Sequence, residues 1–175
     1  AFTCRVLSSS GTDTYSAVAA AVGSLKGPKH GGANQRVVAM FDEIKANISD
    51  WTDDQEITAY LEKILRKEAG DGSGLIYGMG HAIYTKSDPR ALVLKRYART
   101  LAEKTGLIRE LELLESIERL TPEVFQRVTG SNKVMCANVD FYSGLVYRML
   151  NIPEELYTPL FAIARVAGWC AHRIE

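Results

Sequence analysis

The sequence carries no net charge: its 21 lysines and arginines are balanced by 21 aspartates and glutamates over 175 residues. That balance excludes the basic footprint with which nucleic-acid and anionic-membrane binders attract their partners, and a local cluster such as Lys95, Arg96 and Arg99 reads as a solvated helix face. Cysteine is scarce. Cys4, Cys136 and Cys170 are odd in number and far apart, so neither a disulfide framework nor a zinc knuckle follows, and a reducing, cytoplasmic setting is the expectation. Long apolar runs are missing as well. The nearest approach, Pro159 to Cys170, is short and broken by Arg165, and no cationic segment followed by an apolar stretch opens the chain. Neither membrane spanning nor export is expected.

Several nucleotide and metal motifs are also lacking. Gly72-Ser73-Gly74-Leu75-Ile76-Tyr77 has no third glycine of a dinucleotide fingerprint, follows no clear strand, and does not end in the Gly-Lys-Ser/Thr of a phosphate loop. The three histidines form no His-Glu-x-x-His pair, so no metal site is visible. No sustained alternation argues for a sheet, and no fixed-period repeat appears. What remains, with 46% hydrophobic and 24% charged residues, is the composition of an ordinary globular domain.

Its pattern predicts an all-α protein. Thr12 and Asp13 open a helix that Gly27-Pro28 closes, and residues 31–47 follow with Val37, Val38, Met40, Phe41 and Ile44 at helical spacing. Thr52 with Gln55 fits a capping box ahead of Ile57, Tyr60, Leu61, Ile64 and Leu65. Residues 70–84 hold five glycines and no helical period, which predicts a loop. Asp88-Pro89 restarts a helix as N-cap and first-turn proline, running to Gly106. Residues 107–119 and 121–128 read as two shorter helices, and 130–137 as a polar connection. Asn138 or Asp140 caps the next helix; Pro153 opens the last, with a kink expected at Pro159. Trp169 to Ile174 carry no cap or breaker, so the chain is expected to be a piece of something longer.

Three junctions place reactive side chains at helix starts. His30 precedes Gly31-Gly32-Ala33, where the positive end of the helix dipole favours a neutral ring able to donate one hydrogen bond to an oxygen gaining charge. His81 follows Gly78-Met79-Gly80 and precedes Asp88-Pro89-Arg90, so a histidine donor and an arginine fork could meet one small anion. Asp140 begins a third helix, and Phe141 and Tyr142 could desolvate it enough for a base. Spacing alone leaves each open: either histidine reads equally as a cap or loop residue, Arg90 as simply exposed, and Asp140 more readily as an N-cap than as a base. Arg165 lies among Leu160, Phe161, Ile163 and Val166, where an unpaired charge is expensive, so an anionic ligand or a buried carboxylate is expected to meet it.

Taken together, GPKHGGAN (27–34), GMGHAIYTKSDPRA (78–91), NVDFYSG (138–144), Leu160-Phe161-Ala162-Ile163-Ala164-Arg165 and Gly168-Trp169 resemble the citrate synthase family, and the likeness covers essentially the whole chain. The resemblance implies a helical small domain at residues 32–151, flanked by large-domain segments at 1–31 and 152–175. It implies condensation of acetyl-CoA with oxaloacetate, then thioester hydrolysis to citrate and CoA, with 2-methylcitrate synthesis from propionyl-CoA as the alternative. Asp140 would remove the methyl proton, His30 would donate to the thioester oxygen, and His81 would polarise the ketone. Arg90 and Arg165 would hold carboxylates near Phe161. Ile76, Tyr77, Gly78, Met79 and Gly80 would receive the CoA adenine, with Lys133 and Asn138 on the CoA side.

The resemblance implies no metal and no tightly bound cofactor, acetyl-CoA being a cosubstrate, and a homodimer. It also marks departures. The family's upstream His-Glu-x-x-Asn segment and an arginine contributed across the dimer have no counterpart in these residues, so the chain alone is expected to be inactive, a folding or CoA-binding module. Cys136-Ala137 stands where many relatives carry a proline, and Thr85 where some carry a basic CoA contact. The flanking helices are expected to leave Val18, Val22, Leu160 and Ile163 exposed or packed against another copy.

Overall fold

The computed structural model describes residues 1–27, 31–84 and 86–175. It is all-α, as the helical periodicity predicts. Among the described residues there are eight helices: α1 (Phe2–Ser9), α2 (Thr14–Leu25), α3 (Ala33–Asn47), α4 (Asp54–Leu65), α5 (Pro89–Thr105), α6 (Ile108–Thr129), α7 (Val139–Met149) and α8 (Tyr157–Ile174), with a 3-10 turn at Glu154–Leu156. The chain forms two compact units, Ala1–Ala33 with Pro153–Glu175, and Asn34–Ile152.

The first unit packs α1, α2 and α8 together. Asp13 caps α2 by accepting the Ser16 amide at 2.9 Å, and Ala17 and Ala21, one turn apart, bury a small-residue face. Small side chains let neighbouring helices approach closely, and the buried Trp169 of α8 and Cys4 of α1 complete that core. Val22 and Ile163 are exposed, as expected, while Val18 and Leu160 are half-buried. Helix α1 has no counterpart among the sequence-predicted helices. Pro159 lies in the first turn of α8, where a proline removes no intrahelical hydrogen bond, so the sequence signal for a kink does not apply.

The second unit is built on α3 to α7. Asp53, rather than Thr52, caps α4, its carboxylate accepting the Gln55 amide at 2.8 Å, while Glu56 reaches back to the amides of Ser49 and Asp50 at 2.7 and 2.9 Å. The helix then buries Ile57, Leu61 and Ile64 against α6. Each such side chain fully removed from water contributes roughly 1.5–3 kcal/mol. Helix α6 is continuous where two helices are expected. Pro122 costs it one backbone bond, but on its exposed side, and the apolar face of Leu111, Leu114, Ile117 and Val124 runs buried past that point. Thr121, buried beside the proline, donates its hydroxyl to the Ile117 carbonyl at 2.6 Å. Burial along one face outweighs the local breaker.

Candidate functional site

The second unit gathers the glycine-rich loop and the starts of α5 and α7. The Gly80 amide donates to the Cys136 carbonyl at 2.7 Å and the Asn138 amide to the Gly78 carbonyl at 2.8 Å, flanking an isolated antiparallel bridge between Met79 and Ala137. Gly78 makes this closeness possible. Its φ is +80°, and a Cβ there would lie 2.8 Å from the Phe141 Cα, inside any van der Waals contact. The loop that carries His81 is thereby fastened to the loop that delivers Asp140.

Asn138 is the cap of α7. Its Oδ1 accepts the Asp140 amide at 3.0 Å, and its Nδ2 donates to the Gly80 carbonyl at 3.0 Å. Asp140 is thus relieved of capping, and among the described residues no donor hydrogen-bonds its half-buried carboxylate. Burial pushes the Asp140 carboxyl above its ordinary range; Arg90 opposes the rise, Asp88 adds to it, and His81 opposes it more weakly. A carboxyl held in this way is a stronger base than an exposed aspartate.

His81 turns its Nδ1 inward, where it accepts the amides of Ile83 at 3.0 Å and Tyr84 at 3.1 Å. Two donors on Nδ1 assign the proton of the neutral ring to Nε2, which makes that nitrogen a hydrogen-bond donor to whatever faces it. The Tyr84 ring lies 4.7 Å from the imidazole, centroid to centroid, and the Arg90 guanidinium carbon sits 5.7 Å from the same Tyr84 centroid.

Asp88 does more than the N-cap that the sequence predicts. Oδ1 accepts the Arg90 amide at 2.9 Å and Arg90 Nε at 3.0 Å, while Oδ2 accepts Arg90 Nη2 at 2.8 Å and the Val139 amide at 3.1 Å. Burial of the Asp88 carboxyl opposes ionisation, but the Arg90 side chain and amide and the Val139 amide outweigh it, holding the group below the usual carboxylate range. Arg90 is in turn pushed above its ordinary value, first by its bonds to Asp88. Asp88 and Tyr84 are the functional candidates that sequence reasoning overlooked. The available signals were an arginine two residues beyond a capping aspartate and an aromatic three residues beyond His81.

The remaining candidates divide plainly. Ile76 and Met79 bury their side chains in the core, so a ligand could meet only their backbone, where the Met79 amide already donates to the Ile76 carbonyl at 3.2 Å. Tyr77 is half-buried, donating to Asp71 Oδ2 at 2.6 Å and accepting from Arg36 at 3.1 Å. Lys133 is exposed. In the first unit, Phe161 is half-buried on α8, whereas Arg165 is exposed and among the described residues meets no carboxylate. Of the two partners expected for Arg165, the buried carboxylate is therefore corrected, because the face of α8 that carries it is open; an anionic ligand is the alternative that stays open. Gly31 is held by Thr158, whose hydroxyl donates to its carbonyl at 2.6 Å; His30 and Thr85 lie outside the described residues. Also among the described residues, no His, Cys, Asp and Glu side chains cluster in a way that could hold a metal ion, and no helix is long and apolar enough to cross a membrane.

Comparison with known proteins places these elements in a family. Residues 1–175 match the family model described as citrate synthase, C-terminal domain. The chain is 44% identical to the citrate synthase of Synechocystis over 98% of its own length and 39% of that protein. It is 41% identical to the citrate/2-methylcitrate synthase of Bacillus subtilis over 99% of its length and 42% of that protein. Among solved structures it is similar to the citrate synthase of Thermoplasma acidophilum in a ternary complex with carboxymethyl coenzyme A and oxaloacetate, with a TM-score of 0.78 and 33% identity over 99% of this chain and 42% of that one. The chain thus spans about two fifths of the length of these relatives. With a helical fold shared over its full length and a family model matched from end to end, the chain belongs to the citrate synthase family.

Proposed function

We propose that the whole protein condenses acetyl-CoA with oxaloacetate and hydrolyses the resulting thioester to citrate and CoA. The observation that carries this reading is the state of Asp140: a half-buried carboxyl raised above its usual range, freed from capping by Asn138, and set in the field of Arg90 and His81. That is the disposition of a general base rather than of a helix cap. The ternary complex of the Thermoplasma relative, with a coenzyme A analogue and oxaloacetate, supports the substrate pair.

In this reading Asp140 takes a proton from the acetyl methyl group, and the electron pair of that C–H bond becomes the enolate double bond. His30, by its place in the family motif, donates to the thioester oxygen as it gains charge. A preorganised donor at such an oxygen is worth about 3 to 4 kcal/mol, without which a carboxylate is too weak a base for a thioester. The enolate carbon then bonds to the ketone carbon of oxaloacetate. His81, donating through Nε2, polarises that ketone and protonates the alkoxide. Water then cleaves the thioester, CoA leaving as the thiol. Arg90 holds an oxaloacetate carboxylate; Arg165 and Phe161 are assigned to the same substrate by their places in the family motif alone.

The backbone of residues 76–80, with Lys133 and Asn138, receives CoA. The second unit corresponds to the small domain of the family and the first to part of its large domain. A cytoplasmic homodimer is the accompanying proposal. The test is CoA release by the whole protein with both substrates present; no release in the presence of oxaloacetate rejects the reading. The Bacillus relative, named for both products, motivates a parallel assay with propionyl-CoA. A higher kcat/KM for propionyl-CoA than for acetyl-CoA would assign 2-methylcitrate synthesis instead.

A further inference from the structure

Capping α5 requires one oxygen of Asp88, yet both oxygens are engaged and four donors converge on them. The Asp88 side chain is fully buried, while the Arg90 side chain it grips is 43% exposed. The grip is side-on: Nε and Nη2 face Asp88. The opposite edge of the guanidinium, formed by Nη1 and the outer hydrogen of Nη2, has no acceptor among the described residues. A planar guanidinium offers two such edges, each matched to a carboxylate. One is occupied from within the protein, so the other is left at a fixed orientation and opens outward.

We propose that Asp88 is a positioning residue for substrate recognition: by clamping the inner edge of Arg90 and the first amide of α7, it presents the outer edge of Arg90 to a single ligand carboxylate in register with Asp140. This rests on the reading that the site binds oxaloacetate.

Three physical consequences support it. A side chain as flexible as arginine loses conformational freedom on binding, and a clamp formed beforehand removes that cost from the binding step. The Val139 amide joins the start of α7 to the same carboxylate, so Arg90 and Asp140, on different helices, are tied through one buried group. Charge matters too. An uncompensated guanidinium beside Asp140 would weaken it as a base, and the Asp88 carboxylate offsets that charge without occupying the outer edge of Arg90.

A double-mutant cycle on the whole protein tests the assignment, with the oxaloacetate Kd measured by calorimetry for wild type, Asp88→Asn, Arg90→Ala and the double variant. Asparagine still caps α5, so the expected result is an oxaloacetate Kd raised about tenfold or more in Asp88→Asn, as an order of magnitude for losing a charged hydrogen bond. In the Arg90→Ala background the same change should then alter Kd by less than about twofold, as expected of coupled residues. Asp88→Ser, which also caps the helix but holds no guanidinium, should behave as Asp88→Asn. Equal effects of Asp88→Asn with and without Arg90, unchanged Kd, or failure of both the Asn and Ser variants to fold would overturn the proposal and make Asp88 a merely structural residue. Absence of any oxaloacetate binding by the wild type would instead reject the activity reading on which it depends.

Discussion

The Asn138 side-chain oxygen accepts the Asp140 amide at 3.0 Å while the Asn138 side-chain nitrogen donates to the Gly80 carbonyl at 3.0 Å, so one residue both caps α7 and fastens it to the histidine-bearing loop. The division of labour between Asn138 and Asp140 is what gives the aspartate its chemistry. Near a helix start the dipole favours an ionised carboxylate, and capping bonds would favour it further. With the cap supplied by Asn138, burial prevails and the carboxyl rises.

Replacing Asp140 by asparagine should therefore remove turnover without removing the helix. In the whole protein, CoA release is expected to fall by about 10² to 10⁴, the usual contribution of a positioned general base. Helical content by circular dichroism should be unchanged, because the cap at Asn138 is intact. Turnover within a few-fold of wild type would eliminate Asp140 as the base.

The pH dependence follows in sign. A base must be ionised to act, and the folded Asp140 carboxyl titrates above its ordinary value. Activity should thus be lost, as pH falls, at a higher pH than an ordinary carboxylate of about 3.9 would allow. Arg90 and His81 lower this value and Asp88 raises it, while burial first, and then the Asp140 charge, push up the Tyr147 hydroxyl on the same helix. Asp88→Asn deletes the raising charge, so its acid limb in kcat/KM should move to lower pH. A limb that stayed in place, or moved upward, would contradict this account of the site's electrostatics.

How far the site could be read from the amino-acid sequence depends on the range of the interaction concerned. Asp88-Pro89 announces the start of α5 because cap and first-turn proline are local signals. The same residues do not announce that the Asp88 carboxylate also reaches Val139, a contact spanning 51 positions. His81 could be recognised beside its glycines, but its tautomer depends on where the Ile83 and Tyr84 amides turn. Pro122 misleads because a breaker is local whereas the buried stripe of α6 that overrides it is a tertiary fact. Asp53 takes the cap expected of Thr52 because adjacent polar residues compete for the same role. Arg165 misleads for the converse reason: apolar neighbours in sequence do not imply burial when the helix face is open.

Gly78→Ala should be costly even though alanine is the smallest possible addition. The new methyl would meet Phe141 atoms at 2.8 and 2.9 Å, including its backbone, and the φ of +80° disfavours any L side chain. Backbone strain of about 1–2 kcal/mol and overpacking of about 1–3 kcal/mol act at the same place. Chemical denaturation of the whole protein should report a loss of roughly 2–5 kcal/mol, the combination of those two ranges. A loss below about 0.5 kcal/mol, the level of an ordinary surface substitution, would mean that the junction is looser than described.

The ion pair between α3 and α7 should make stability depend on pH in a defined direction. Arg148 donates to both oxygens of Asp42 at 2.8 and 2.7 Å, and Lys45 approaches the same carboxylate at 3.0 Å. The bonds from Arg148 are the largest influence on Asp42; with help from Lys45 they outweigh its partial burial and hold the carboxyl below its usual range. A folded value below the unfolded one means stability that is present above the unfolded pKa and disappears as pH falls through the folded pKa. Since Asp42 and Arg148 remain 45% and 31% exposed, solvent screening limits the contribution to about 0.5–1 kcal/mol. Asp42→Asn should accordingly lower the melting temperature near neutral pH by about 1–4 °C, scaled to a protein of this size or larger. The gap between variant and wild type should close as pH is taken below the carboxylate range, because both then lack the charge. It should also narrow in high salt. A gap that persists unchanged at low pH would assign the effect of the substitution to packing rather than to the ion pair.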